Sequence, residues 1–234
     1  YLDGFLSDNT PVGLLANKRY DDIIVLRLSN DVTGDKNLKK YVDINLTVIK
    51  PTMDLGGSLN KDKDHMEKLF KLGYMDVMKT YKRYDGVKYF FNADFIYDEN
   101  TCFDMITNLN IKTIQDICKI LKIKREPSLR VLLENIIPQI GDILHLEKEF
   151  TYKDIFYSIY ERILEENNID VLKLYDFSKV IDLVNSQIEP IDYDYDNNDN
   201  KHIISLNKKE KIEKAIINKI LNDFKNQSLK KMPI

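Results

Sequence analysis

Tryptophan is missing from this 234-residue chain, and glycine (8), proline (6) and cysteine (2) are scarce. Little glycine and proline excludes a collagen-like or low-complexity chain. The two cysteines, Cys102 and Cys118, make no disulfide framework of the kind that staples small secreted domains, so a reducing, cytoplasmic compartment is expected. No apolar run approaches the roughly 18 residues needed to cross a bilayer, and no secretory signal is read at the start. A basic excess is lacking too. Lys and Arg number 35 against 38 Asp and Glu, a net charge of −3, which argues against a bulk electrostatic nucleic-acid binder.

The common catalytic signatures are also absent. There is no GxxxxGK[ST] phosphate loop. Nor is there a G-x-S-x-G elbow; the nearest approach, Gly56-Gly57-Ser58-Leu59-Asn60, lacks the closing glycine. His65, His145 and His202 lie far apart, outside any HxxxH spacing, and read as surface or packing residues. Cys118 falls on an apolar helical stripe, where a thiol serves as a small hydrophobe. No metal and no cofactor are expected.

What is present divides into two textures. Seven of the eight glycines fall within residues 1–86, and the segment 1–84 has α/β grammar. Thr10-Pro11 reads as a helix start, with Val12, Leu14 and Leu15 following. The run Asp22-Ile23-Ile24-Val25-Leu26-Arg27-Leu28-Ser29 is short, rich in β-branched residues and continuously apolar at Ile23–Leu26, as in a parallel-sheet strand buried on both faces. A second strand is expected at Ile44–Ile49, stopped by Pro51. A longer helix follows, with Asp64 and Glu67 at capping-box spacing and Met66, Leu69, Phe70, Gly73, Val77 and Tyr81 at helical spacing. Gly73 in mid-helix costs about 1 kcal/mol relative to Ala, so close packing against a neighbour is expected there.

The segment 85–188 is a helical extension that opens on an irregular stretch with Tyr89-Phe90-Phe91 as a short strand or packed loop and is helical from about 101 onward. Thr113 with Asp116 caps one stripe. Ser128 opens a second that kinks at Pro138. Thr151 with Asp154 caps a third, and a weaker helix covers 170–186. The segment 189–200 holds five acidic residues and reads as a mobile loop. The terminal region 201–234 carries nine lysines against three acids. Its apolar helical face fits either docking into the protein or, through 208–231, peripheral contact with an anionic membrane surface.

The chain opens on Tyr1-Leu2-Asp3-Gly4-Phe5-Leu6-Ser7-Asp8-Asn9-Thr10-Pro11, a carboxylate at a strand end followed by tight turns. Without an initiator methionine, this reads as a fragment whose N-terminal part is missing, or as a processed protein. In order and spacing, Tyr1, Asp3-Gly4, Asp8-Asn9, Pro11, the short helix and the strand Ile23–Leu26 resemble the catalytic-aspartate motif of patatin-like phospholipases. Ile49-Lys50-Pro51 and Lys71-Leu72-Gly73-Tyr74-Met75-Asp76 continue the resemblance, which covers about 1–84.

The resemblance implies the C-terminal portion of a patatin-like parallel-sheet domain, followed here by an all-helical region. It also implies a lipid acyl hydrolase with a Ser-Asp dyad acting on a lipid or acyl-ester substrate. Asp3 would be the catalytic base, with the nucleophilic serine and a glycine-rich oxyanion loop upstream of these residues. This chain alone would then be inactive. Phe5 departs from the family's Gly or Ala at that position, and a bulky side chain there would narrow the turn that presents Asp3. The rival expectation is a non-catalytic helical interaction or membrane-docking protein that keeps a degenerate patatin-like remnant.

Overall fold

The computed structural model describes residues 10–28, 38, 40–56, 62–93, 97–187 and 205–231. Asp3, Ser58 and the acidic segment 189–200 lie outside them. The fold is mixed α and β, in two compact units. One holds the described residues up to Ala93 together with Val171–Leu174; the other holds the remainder.

The first unit begins with a short helix, α1 (Val12–Ala16), in which Pro11 takes the cap position and no side chain caps the end. Strands β1 (Asp22–Leu26) and β2 (Asn45–Ile49) pair in parallel, Ile23 against Leu46 and Val25 against Val48. Ile23, Val25, Val12 and Leu38 form a buried cluster on one face. Among the described residues nothing covers the opposite face of β1, where Ile24 and Leu26 are exposed. The expectation of a strand buried on both faces therefore holds for one face only.

Helix α2 (Lys63–Thr80) starts two residues upstream of the expected capping box. Asp62 is its N-cap and accepts from the His65 N–H at 2.9 Å. The helix also turns the other way from the expected stripe. Leu72, Met75 and Asp76 are buried, while Met66, Phe70 and Tyr81 face outward. Among the described residues nothing lies within 4 Å of where a side chain at Gly73 would stand, so the expected close neighbour is not found there. Leu72 and Met75 meet Phe90, with Met53, Leu55, Tyr84 and Leu172 around them. Strands β3 (Tyr84–Asp85) and β4 (Phe90–Asn92) run antiparallel, and β5 (Leu174–Tyr175) adds the outer strand on the β4 side.

The second unit is helical. Helices α3 (Glu99–Thr107) and α4 (Ile111–Ile120) come first. Asn110, not Thr113, caps α4, its side chain accepting from the Lys112 N–H. Ser128 caps α5 (Leu129–Val131) as expected. The helix then widens to a π-turn over Leu132–Ile136 before α6 (Ile137–Ile143). Pro138 explains the widening, because it has no N–H to donate to the Glu134 carbonyl and its ring crowds that position. The Gln139 side-chain amide donates to the Asn135 carbonyl at 2.9 Å, satisfying part of the loosened ladder. Helix α7 (Tyr152–Glu166) carries the Thr151–Asp154 capping box in full. Helix α8 (Phe177–Gln187) is shorter than the expected 170–186 segment at its start, and α9 (Ser205–Lys231) is longer at both ends than its apolar stripe. Phe156 centres the core, with Tyr97, Phe177 and Phe224 at ring-centroid distances of 5.2, 5.8 and 5.4 Å.

Candidate functional site

Ligand sites of open α/β sheets form beyond the carboxyl ends of the strands. Here those ends are Leu26 and Ile49, and they open into a groove of about 980 Å³ that α2 closes on one side. Its wall is mainly apolar, with Leu26, Leu28, Ile49, Pro51, Phe70 and Val77 prominent, and its charged members are Arg27, Lys50, Asp76 and the Lys63–Glu67 pair at 3.8 Å.

One buried acid lies in that wall. Asp76 is only 4% exposed. The Thr52 N–H and hydroxyl donate to its carboxylate at 3.3 and 2.8 Å. Burial raises its pKa above the ordinary carboxylate value, a shift that the Thr52 hydrogen bonds and the charge of Lys79 oppose without cancelling. Lys79 in turn donates to the Val87 and Tyr89 carbonyls at 2.9 and 3.1 Å and sits 4.2 Å from the centre of the Phe90 ring. Asp76 thus fixes the loop after β2, and Lys79 fixes the β3–β4 hairpin, so α2 anchors both from one side. The sequence alone marks no such role for Asp76. The available signal was a single carboxylate one turn beyond Leu72 and next to Met75, on what proves to be the inward face.

The other candidates are dispersed. Asp3, Gly4, Phe5, Asp8 and Asn9 lie outside the described residues, as does His202. Gly56 has φ +72°, a left-handed turn suited to glycine, and His65 packs beside it with its Nε2 buried and unpaired among the described residues. His145 lies in the second unit, at a left-handed position just after α6. Cys102 and Cys118 are both buried. The Cys102 thiol donates to the Tyr97 carbonyl, and burial pushes the Cys118 thiol up. Among the described residues, no group of three or more His, Cys, Asp or Glu side chains is placed to hold a metal.

The lysine-rich helix α9 does not present its apolar face outward. Ile216, Ile217, Ile220, Leu221 and Phe224 are buried in the helical unit. Lys219 donates to Asp116 at 2.9 Å, Lys225 to the Asn185 carbonyl at 2.9 Å, and Gln227 to the Met105 and Asn108 carbonyls. The face that peripheral membrane contact through 208–231 would need is therefore taken up by the protein. Among the described residues no helix is long and apolar enough to cross a membrane.

Comparison with known proteins finds no matching family model, no matching curated protein and no matching solved structure. No family is assigned on that basis.

Proposed function

We propose that this chain supplies the aspartate part of a patatin-like serine lipid acyl hydrolase, with Asp3 as the base of a Ser-Asp dyad. The observation that supports the reading is the apolar groove at the carboxyl ends of two parallel strands. It lies in the unit that follows the Asp-Gly motif in the order helix, strand, strand, helix. A mainly apolar groove of this size suits an acyl chain.

In the proposed reaction a serine contributed by upstream sequence attacks the ester carbonyl carbon while Asp3 takes its proton. Backbone N–H groups of a glycine-rich loop stabilise the oxyanion. Collapse expels the alcohol, which leaves with the proton from Asp3. Water then repeats the sequence on the acyl-serine and releases the acid. A carboxylate with an ordinary pKa of about 3.9 is a weak base for a hydroxyl, so close placement and exclusion of water must supply the advantage.

The test is hydrolysis of p-nitrophenyl esters. The 234-residue chain should be inert. The longer protein that includes the serine segment should be active and should lose about 10²–10⁴-fold on Asp3→Asn, with its melting temperature little changed. Activity in the 234-residue chain, or full activity in Asp3→Asn, would remove Asp3 from the mechanism.

A further inference from the structure

The parallel pairing of β1 with β2 uses alternate residues. The Asn45 N–H donates to the Asp21 carbonyl and the Arg27 N–H to the Ile49 carbonyl, so Asp21, Ile23, Val25 and Arg27 direct their backbone groups toward β2. The N–H and C=O groups of Ile24 and Leu26 point to the opposite edge, where β1 has no neighbouring strand among the described residues. Natural sheets guard such an edge with lysine, proline, a bulge or a covering element. β1 reads Asp22-Ile23-Ile24-Val25-Leu26; its one charge, Asp22, stands at the first position, and it carries no lysine, no proline and no bulge.

The same region is apolar and open. Ile24 is 58% exposed, Leu26 70%, Leu28 84% and Phe70 84%, with Met66 and Tyr74 also outward. Large apolar side chains exposed to this degree present on the order of 700 Å² together, close to the roughly 800 Å² that each partner contributes to a standard protein interface. Scattered exposed hydrophobics are ordinary, but Leu26, Leu28, Met66, Phe70 and Tyr74 border one groove, and an apolar grouping of this size marks an interaction surface.

We propose that the β1 edge and the outward face of α2 form an interface with a second copy of this chain. β1 pairing antiparallel with β1 of the other copy is self-complementary about a two-fold axis, the commonest arrangement of soluble homo-oligomers. The backbone groups of Ile24 and Leu26 that face away from β2 then satisfy their counterparts, and the sheet becomes four-stranded in the order β2-β1-β1-β2. Ile24 and Leu26 share one face of that sheet, so the apolar faces of the two copies meet on the same side of the junction. Leu26, Leu28 and Phe70 also line the groove of the hydrolase reading, so the pairing is read by mass in solution, separately from ester hydrolysis.

The experiment is sedimentation velocity with light scattering on the 234-residue chain and three variants. A dimer of twice 27.5 kDa is expected at micromolar concentration. Phe70→Glu and Leu26→Lys replace exposed side chains, and each should weaken dimerisation at least about tenfold, or about 1.4 kcal/mol, with unchanged circular dichroism. Ile24→Pro deletes an N–H that β2 does not use, and should leave the chain monomeric while retaining the β1–β2 pair. A parent chain that stays monomeric at about 100 μM overturns the proposal, that being weaker than any specific interface of this size. So does a dimer unaffected by both Phe70→Glu and Leu26→Lys, or a monomer that associates only with lipid vesicles.

Discussion

Two glycines in the middle of helices make opposite demands on their surroundings. At Gly73 no described atom lies within 4 Å of the place a methyl group would take, so alanine there gains helix propensity without a clash. Gly73→Ala should stabilise the chain by about 1 kcal/mol, read as a rise of about 2–4 °C in melting temperature. At Gly141 a methyl group would collide with Cε1 and Cζ of Phe150. Gly141→Ala should destabilise by about 1–3 kcal/mol, and shortening Phe150 to Leu in the same chain should recover part of the loss. Additive effects in that pair would remove the packing explanation. Asp76 makes a third prediction, set by pH. Its pKa is raised in the folded chain above an ordinary 3.8. The stability this carboxyl contributes is therefore fully present below the ordinary value, where it is protonated folded and unfolded, and is lost as pH rises through the folded pKa. Asp76→Asn carries no such titration. Melts across pH 3 to 7 should show the parent losing ground relative to Asp76→Asn as pH rises, and a constant difference would contradict the buried-carboxyl account.

Helix ends depend on neighbours a few residues away, and this is where the sequence was most legible. The Thr151–Asp154 box forms in full because both of its partners lie within one turn of chain. Glu99 strengthens the same end from another helix, its two carboxylate oxygens accepting from the Tyr152 and Lys153 N–H groups at 3.0 and 2.9 Å. That contact spans more than fifty positions and has no local signature. Thr151→Ala should cost about 0.5–2 kcal/mol, and Glu99→Gln about 0.3–1 kcal/mol through loss of a negative charge at the helix N-terminus; denaturant midpoints read both. Helix α2 shows where local reading stops. Asp62 and Asp64 are both good caps, and tertiary placement chose Asp62. Apolar residues lie on two sides of the helix, so periodicity identified it as a helix and could not say which side the strands would cover.

At the scale of the whole molecule, the least local feature is the return of Val171–Leu174 to the first unit, where Leu172 packs beside Leu72 and Phe90 and β5 extends the small sheet. The terminal helix α9 is the second. Its contacts reach residues 162, 116 and 105, through Arg162 with Glu213, Lys219 with Asp116 and Gln227 with the Met105 carbonyl. Phe224 packs against Phe156 at the centre of the aromatic cluster and is fully buried. Phe224→Ala should cost about 3–5 kcal/mol and lower the melting transition of the helical unit. A loss below about 1 kcal/mol would mean that α9 contributes little to that core.

Composition, turn chemistry and short-range periodicity determined the α/β start, the helical remainder, the β1 and β2 strands, the Ser128 and Thr151 caps and the break at Pro138, because each depends on residues within one or two turns. Tertiary structure alone decided that β1 keeps one face open, that Gly73 lacks a close neighbour, that Asp76 is buried against Thr52, and that α9 uses its apolar face inside the protein. Those outcomes depend on which surfaces meet across distant parts of the chain. A hydrophobic stripe states only that some apolar partner is needed; packing determines which one it finds.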